Sequence, residues 1–126
     1  MQTFLSSLMT YLTEADVVHI QEDLRFKRDA SLRVNTLCAT DSEALDLLAA
    51  IGVTPVAFSN IPHAYTITRD EEYRIKGNPI FNSGKIYLQS ISSQIPALCM
   101  DLSSGMNVLD ACAAPGSKTS QIMALM

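Results

Sequence analysis

Val108-Leu109-Asp110-Ala111-Cys112-Ala113-Ala114-Pro115-Gly116-Ser117-Lys118-Thr119 is the stretch that decides the fold class of this 126-residue chain. It reads as a short apolar strand, a tight loop of small residues and the start of a helix. That order leaves the first N–H groups of the helix unpaired and builds an anion-ready pocket at its N-terminus. Ala113, Ala114 and Gly116 let a ligand approach the backbone closely, and Pro115 stiffens the turn. Asp110 ends the strand, where its carboxylate can fix the loop or accept from a ligand amine. Met106 to Leu109 is apolar except for Asn107, which suits a strand buried on both faces of a parallel sheet. The helix is expected to start near Ser117. One strand and one helix cannot cover both faces of such a sheet. Residues 106–126 are therefore expected to expose Val108, Leu109, Ile122 and Leu125, as the opening of a domain and not the whole of one.

Two nucleotide motifs are close to this loop but do not match it. Gly116-Ser117-Lys118-Thr119 is like the tail of a phosphate-binding loop. That motif needs Gly directly before the Lys and another Gly five residues earlier; here those positions are Ser117 and Cys112. A dinucleotide-type Gly-x-Gly-x-x-Gly is absent. A strand-to-helix turn with no ligand has the same spacing, so spacing alone leaves that reading open.

The rest of the chain frames the loop. Hydrophobic residues make up 48% and charged residues 17%, the balance of a globular chain. No apolar run reaches the roughly 18–20 residues that span a bilayer, and Met1-Gln2-Thr3-Phe4 lacks the basic start of a signal peptide. The expected compartment is the cytoplasm, with no membrane partner. A net charge of −4 argues against indiscriminate nucleic-acid binding. Local distribution matters more: Arg25, Lys27, Arg28 and Arg33 cluster, either as a solvated helix end or as a backbone-contact patch. The three cysteines, Cys38, Cys99 and Cys112, form neither a disulfide framework nor a zinc site. Cys38 and Cys99 read as small core residues. His19 and His63 are isolated, and no metal site is expected.

Working outward, Phe4, Leu5, Leu8, Met9 and Leu12 share a helical face. Thr13 and Asp16 resemble a capping box before a helix carrying Val17, Val18, Ile20 and Leu24. Leu32, Val34 and Thr36 alternate with Arg33, Asn35 and Leu37, as in a strand. Asp41 or Ser42 caps a helix through Leu48 and Ile51 that Gly52 stops. Residues 53–69 read as strand segments, Lys76–Pro79 and Asn82–Gly84 as turns, and Ile86-Tyr87-Leu88 as a short strand. Ser92 or Ser93 caps a helix reaching Leu102, with Pro96 in its first turn. Turn residues and charges place a boundary near residues 70–80.

Asp110 through Thr119, DACAAPGSKT, resembles the S-adenosylmethionine motif of RNA cytosine-C5 methyltransferases of the Sun/Nol/Nop type. The usual family form has Gly where this chain has Ser117; the Ser form is similar to the bacterial 16S rRNA branch. Ser31 to Leu37 resembles the family's Arg-x-Asn-Thr-Leu strand. Gly84 to Ser93 resembles its Gly-x-x-Tyr-x-Gln-x-x-Ser-Ser segment, with Ser90 in place of the usual acid.

The resemblance implies an α/β chain. Residues 1–75 would form an RNA-contacting α+β region, and residues 76–126 the start of a Rossmann-like, S-adenosylmethionine-dependent methyltransferase domain, incomplete here. Cys112, Ala113, Ala114, Pro115, Gly116, Ser117, Lys118 and Thr119 would cradle the cofactor's amino-acid end. Arg33 and Asn35 would contact RNA or the chain's own second domain. The implied reaction is methyl transfer to C5 of cytosine in 16S rRNA. The family's catalytic cysteines would lie beyond Met126, so no catalytic residue is assigned; Cys112 is a cofactor-loop residue. The chain alone is expected to be inactive. A different class stays open: a stand-alone, non-catalytic RNA-binding or partner-docking module using residues 1–75.

Overall fold

The computed structural model describes residues 2–25 and 29–126. Its centre is a four-stranded antiparallel sheet of β1 (Ala30–Val34), β2 (Val56–Ala57), β3 (Ala64–Ile67) and β4 (Ile86–Leu88), in the order β2-β3-β1-β4. Six helices accompany it: α1 (Gln2–Leu8), α2 (Glu14–Arg25), α3 (Asp41–Ala50), α4 (Arg69–Lys76), α5 (Ile91–Leu98) and α6 (Ser117–Leu125). The chain is thus mixed helix and sheet. The sheet joins segments from both sides of residue 75, because β4 pairs with β1.

Leu32 and Val34 point to one face of β1 and are fully buried there. They pack with Ala44 and Leu48 of α3, Ile75 of α4, Ile67 of β3 and Ile86 of β4. Burying each of these large side chains contributes about 1.5–3 kcal/mol. The alternation seen in the sequence is real, but its polar half is not solvated. Arg33 and Asn35, on the opposite face, are also buried.

Caps set the helix boundaries. Thr13 and Asp16 do form the expected reciprocal pair ahead of α2: the Thr13 N–H donates to Asp16 (3.1 Å) and the Asp16 N–H to Thr13 (3.3 Å). α3 is capped by Thr40 through a capping box with Glu43, one or two residues before the expected Asp41 or Ser42. Gly52 follows the helix in the left-handed region, φ 71°. α5 is capped by Ser90, not by Ser92 or Ser93, and ends at Leu98. Pro96 therefore lies inside the helix and not in its first turn.

Other expectations need correction. Residues 69–76 form α4 where only a charge cluster was seen, and Pro79–Asn82 is a 3-10 turn. Met106 to Leu109 is not a strand: it pairs with nothing, and Leu109 is 91% exposed. A strand needs a neighbour for its peptide groups, and without one water satisfies them. Val108 and Leu125 are exposed as expected, whereas Ile122 is half-buried. Cys38 and Cys99 are exposed, since Cys38 lies in the turn after β1 and Cys99 closes α5 at its C-cap. The apolar face assigned to the first helix is largely open, with Phe4, Met9 and Leu12 exposed. Of the basic cluster, Lys27, Arg28 and the Arg25 side chain lie outside the described residues.

Glu71 does two jobs in α4. Its Oε2 accepts from the N–H (2.8 Å) and hydroxyl (2.9 Å) of the cap Thr68. Its Oε1 accepts from the N–H (2.7 Å) and hydroxyl (3.2 Å) of Thr54, which pins the loop before β2. The Thr54 N–H is the largest cause holding the carboxyl down from an ordinary 4.5 to about 2, and the Thr68 donors add to it against the cost of burial. An acid depressed by folding stabilises fully above its unfolded pKa and loses that contribution as pH falls through its folded pKa. Stability is expected to drop between pH 4.5 and about 2, by at most about 3 kcal/mol from this group. In Glu71→Gln, stability at neutral pH falls by about 1–3 kcal/mol and the acid limb flattens. Urea titrations across that pH range check both.

Candidate functional site

The loop from Asp110 to Thr119 is held from two sides. On one side, Asp110 Oδ1 accepts the Cys112 N–H (3.1 Å) and Oδ2 accepts the Thr119 hydroxyl (2.7 Å). One carboxylate thus clamps both ends of the loop, the first of the two roles open to it from sequence. The chain then turns through a cis Ala114-Pro115 bond into Gly116, which lies at φ 103°. Only glycine takes that conformation without strain. A side chain at Gly116 would meet nothing within 4 Å, so open space lies over it.

Gly116 is also the N-cap of α6, and no side chain caps it. Its carbonyl accepts the Ser120 N–H at 2.8 Å. The N–H groups of Ser117, Lys118 and Thr119 precede that first helical bond and are the orphan donors of the helix start. Lys118 is exposed and joins no ion pair among the described residues. Cys112 is exposed as a free thiol.

On the other side, the loop is anchored by Arg33, which is 3% exposed. From the penultimate position of β1 its guanidinium donates to the Gln89 side chain (3.2 Å), Val34 O (3.3 Å), Ser117 O (3.3 Å) and Ser120 Oγ (2.9 Å). Its charge also stands 5.3 Å from the centre of the Tyr87 ring. Burial lowers the guanidinium's pKa and Tyr87 opposes this; an arginine still remains a cation. Asn35, on the same face, donates to Gly84 O at 2.7 Å and fixes the turn into β4. Of the two readings for Arg33 and Asn35, RNA or the chain itself, the contacts seen are internal.

Three buried glutamines extend the anchor. Gln89 donates to Gln121 Oε1 (3.2 Å) and Ser93 O (3.1 Å), Gln121 to Gln94 O (3.0 Å), and Gln94 to Gln89 O (3.2 Å). An amide donates and accepts at once, so it can pass a hydrogen-bond chain between elements. The network joins β1, β4, α5 and α6. Gln89 stands at the Gln of the family-like Gly84 to Ser93 segment, whereas Gln94 and Gln121 belong to no motif. Their only local signal is an uncharged amide on the inward face of a helix.

His63 is less isolated than its sequence context suggested, with Nδ1 2.8 Å from Asp41 Oδ2. Among the described residues, no group of three or more His, Cys, Asp or Glu could hold a metal ion. No helix among them is long and apolar enough to cross a membrane.

No family model matches the chain. Curated proteins do. It is 38% identical to ribosomal RNA small subunit methyltransferase F of Vibrio campbellii over 99% of this chain and 27% of that protein. A probable ribosomal RNA small subunit methyltransferase B of Bacillus subtilis is 36% identical over 76% of the chain and 21% of its own length. The 28S rRNA (cytosine-C(5))-methyltransferase of Mus musculus is 30% identical over 97% of the chain and 15% of its length. The crystal structure of PH0851 superposes with a TM-score of 0.71 at 28% identity, over 98% of this chain and 27% of that one. The chain is therefore similar in sequence to one segment of these rRNA methyltransferases. It spans between 15% and 27% of the length of these relatives.

Removing the buried cation should separate α6 from the sheet. In Arg33→Met, which leaves the buried acceptors around it without their donor, stability is expected to fall by about 1–3 kcal/mol. Amide exchange at residues 117–121 should accelerate more than at Leu48 in the core. Equal acceleration at both would show that Arg33 supports the whole fold and not the loop.

Proposed function

We propose that this chain carries the S-adenosylmethionine loop and part of the RNA-facing surface of an rRNA cytosine-C5 methyltransferase acting on 16S rRNA. The uncapped start of α6 carries this reading. It offers N–H donors of Ser117, Lys118 and Thr119, open space over Gly116 and the free ammonium of Lys118. That donor set fits the amino-acid end of S-adenosylmethionine, whose carboxylate suits orphan N–H groups and a cation.

Cys112 to Thr119 would line that end of the cofactor, which supplies a methyl group on its sulfonium. Small side chains at Ala113 and Ala114 keep the backbone approachable, while Asp110 and Arg33 hold the loop in place from behind. A helix start fixed in advance binds an anion without an ordering cost at the moment of binding. Arg33 and Asn35 act here by positioning the loop and the β4 turn, not by touching RNA. The proposed division places an RNA-contacting region before about residue 75 and the methyltransferase portion after it.

Methyl transfer to C5 needs a nucleophile at C6, and no residue of this chain is assigned that part. Cys112 sits at the cofactor side of the loop. The apolar residues Leu109, Met123 and Leu125 are exposed.

Calorimetric titration with S-adenosylmethionine is expected to show binding that weakens about tenfold in Lys118→Ala, the loss of one charge-assisted contact. Gly116→Val should weaken it further, because valine does not tolerate φ 103°. Unchanged affinity in both variants would overturn the loop reading. With labelled cofactor and 16S rRNA, the chain alone is expected to methylate no cytosine, and robust transfer would refute that.

A further inference from the structure

We propose that a cavity beside the loop is a subsite for one unstacked nucleobase of the RNA substrate. It rests on the methyltransferase reading only for the source of the base. The cavity has a volume of about 410 Å³. Its lining combines Phe81, Gly84, Ile86 and Leu88 from in and around β4 with Pro115 and Ser117. It therefore shares residues with the candidate cofactor loop.

Three of the lining residues, Ile86, Tyr87 and Leu88, form the outer strand β4. The Asn35 N–H donates to Lys85 O (2.8 Å) and the Gln89 N–H to Ser31 O (3.1 Å). Arg33 stands opposite Tyr87 in the register between them. Residues 85, 87 and 89 thus direct their peptide groups toward β1. Antiparallel pairing alternates, so the N–H and C=O of Ile86 and Leu88 face away from it. β4 is the last strand of the sheet, and no described strand takes up those groups. A nucleobase edge presents donors and acceptors side by side, as a free peptide edge does.

The walls suit a flat, electron-rich ring. Phe81 is 42% exposed and belongs to the cavity lining, which makes an aromatic side chain available for stacking. Asn82 adds a side-chain amide to the rim. Charge points the same way. The chain has 13 acidic and 9 basic residues, yet no acid lines this cavity. Lys85 stands in the chain between the lining residues Gly84 and Ile86, and Lys118 follows the lining residue Ser117. Neither lysine is in a salt bridge among the described residues. An acid-free cavity with an aromatic residue in its lining, and a lysine next in the chain to lining residues on each of two segments, matches a nucleotide's base and phosphates. Stacking on Phe81 needs a base out of its duplex, which selects single-stranded or looped RNA.

The adenine of the cofactor has the same ring chemistry, so the test separates the two sources. The uniformly 15N-labelled chain is titrated with a short single-stranded RNA and, separately, with S-adenosylmethionine, and amide shifts are followed. RNA is expected to move Ile86 and Leu88, with affinity falling at least about fivefold in Phe81→Ala and also in Lys85→Ala. Phe81 is exposed enough that its variant keeps the wild-type spectrum away from the cavity. RNA that leaves Ile86 and Leu88 unmoved, or binds Phe81→Ala as it binds wild type, overturns the subsite. So does cofactor that moves those two amides when RNA does not. If RNA moves them while the cofactor moves nothing in residues 112–119, the subsite stands and the cofactor-loop reading fails.

Discussion

A cation buried without a carboxylate is the constraint around which this chain is arranged. Arg33 sits at 3% exposure in β1, and its hydrogen-bond partners include no acid. An uncompensated buried charge costs several kcal/mol unless neutral acceptors surround it. Here they come from three elements: the Gln89 side chain after β4, Val34 O in β1, and Ser117 O with Ser120 Oγ in α6. The Tyr87 ring covers a further side. The cation is stable only when β4 and α6 are docked, and docking those two elements sets the position of the loop. The same charge, behind an uncapped helix start, adds to the helix dipole in favouring an anion in front.

The parts of the fold that were legible in the sequence are those fixed by near neighbours. Ile86 to Leu88 is a strand because three apolar and aromatic residues sit between turn residues, and Thr13 with Asp16 is a cap because each satisfies the other three residues away. α4 escaped notice for the opposite reason. Its eight residues, RDEEYRIK, bury only Glu71 and Ile75, so its pattern is mostly charge. The Thr68–Glu71 capping box was its one local signal. Met106 to Leu109 misled in the other direction, since an apolar run makes a strand only where something pairs with it. The loop itself was legible as an element, with Asp110 as its clamp and Ser117 as its helix start. The anchor was not, because Arg33 and its acceptors on α6 lie 84 and 87 residues apart. Polar alternation in a strand normally signals water, and nothing local tells a solvated arginine from one caged by distant carbonyls.

The manner in which α6 is attached bears on what the loop can do. Ser117, Ser120 and Gln121 lie within about one turn of each other and meet the sheet and α5 through hydrogen bonds. The opposite side of the helix is apolar. Thr119, Ile122, Met123 and Met126 line a cavity of about 300 Å³ with Met106, Asn107, Val108 and Asp110. α6 is therefore directional on one face and greasy on the other. Hydrogen bonds fix register and angle where apolar contact permits sliding. A helix whose first turn must present N–H groups to a small anion gains from having its rotation set by the polar face. Its apolar face is then free to settle against whatever packs there without turning the donors away from the ligand.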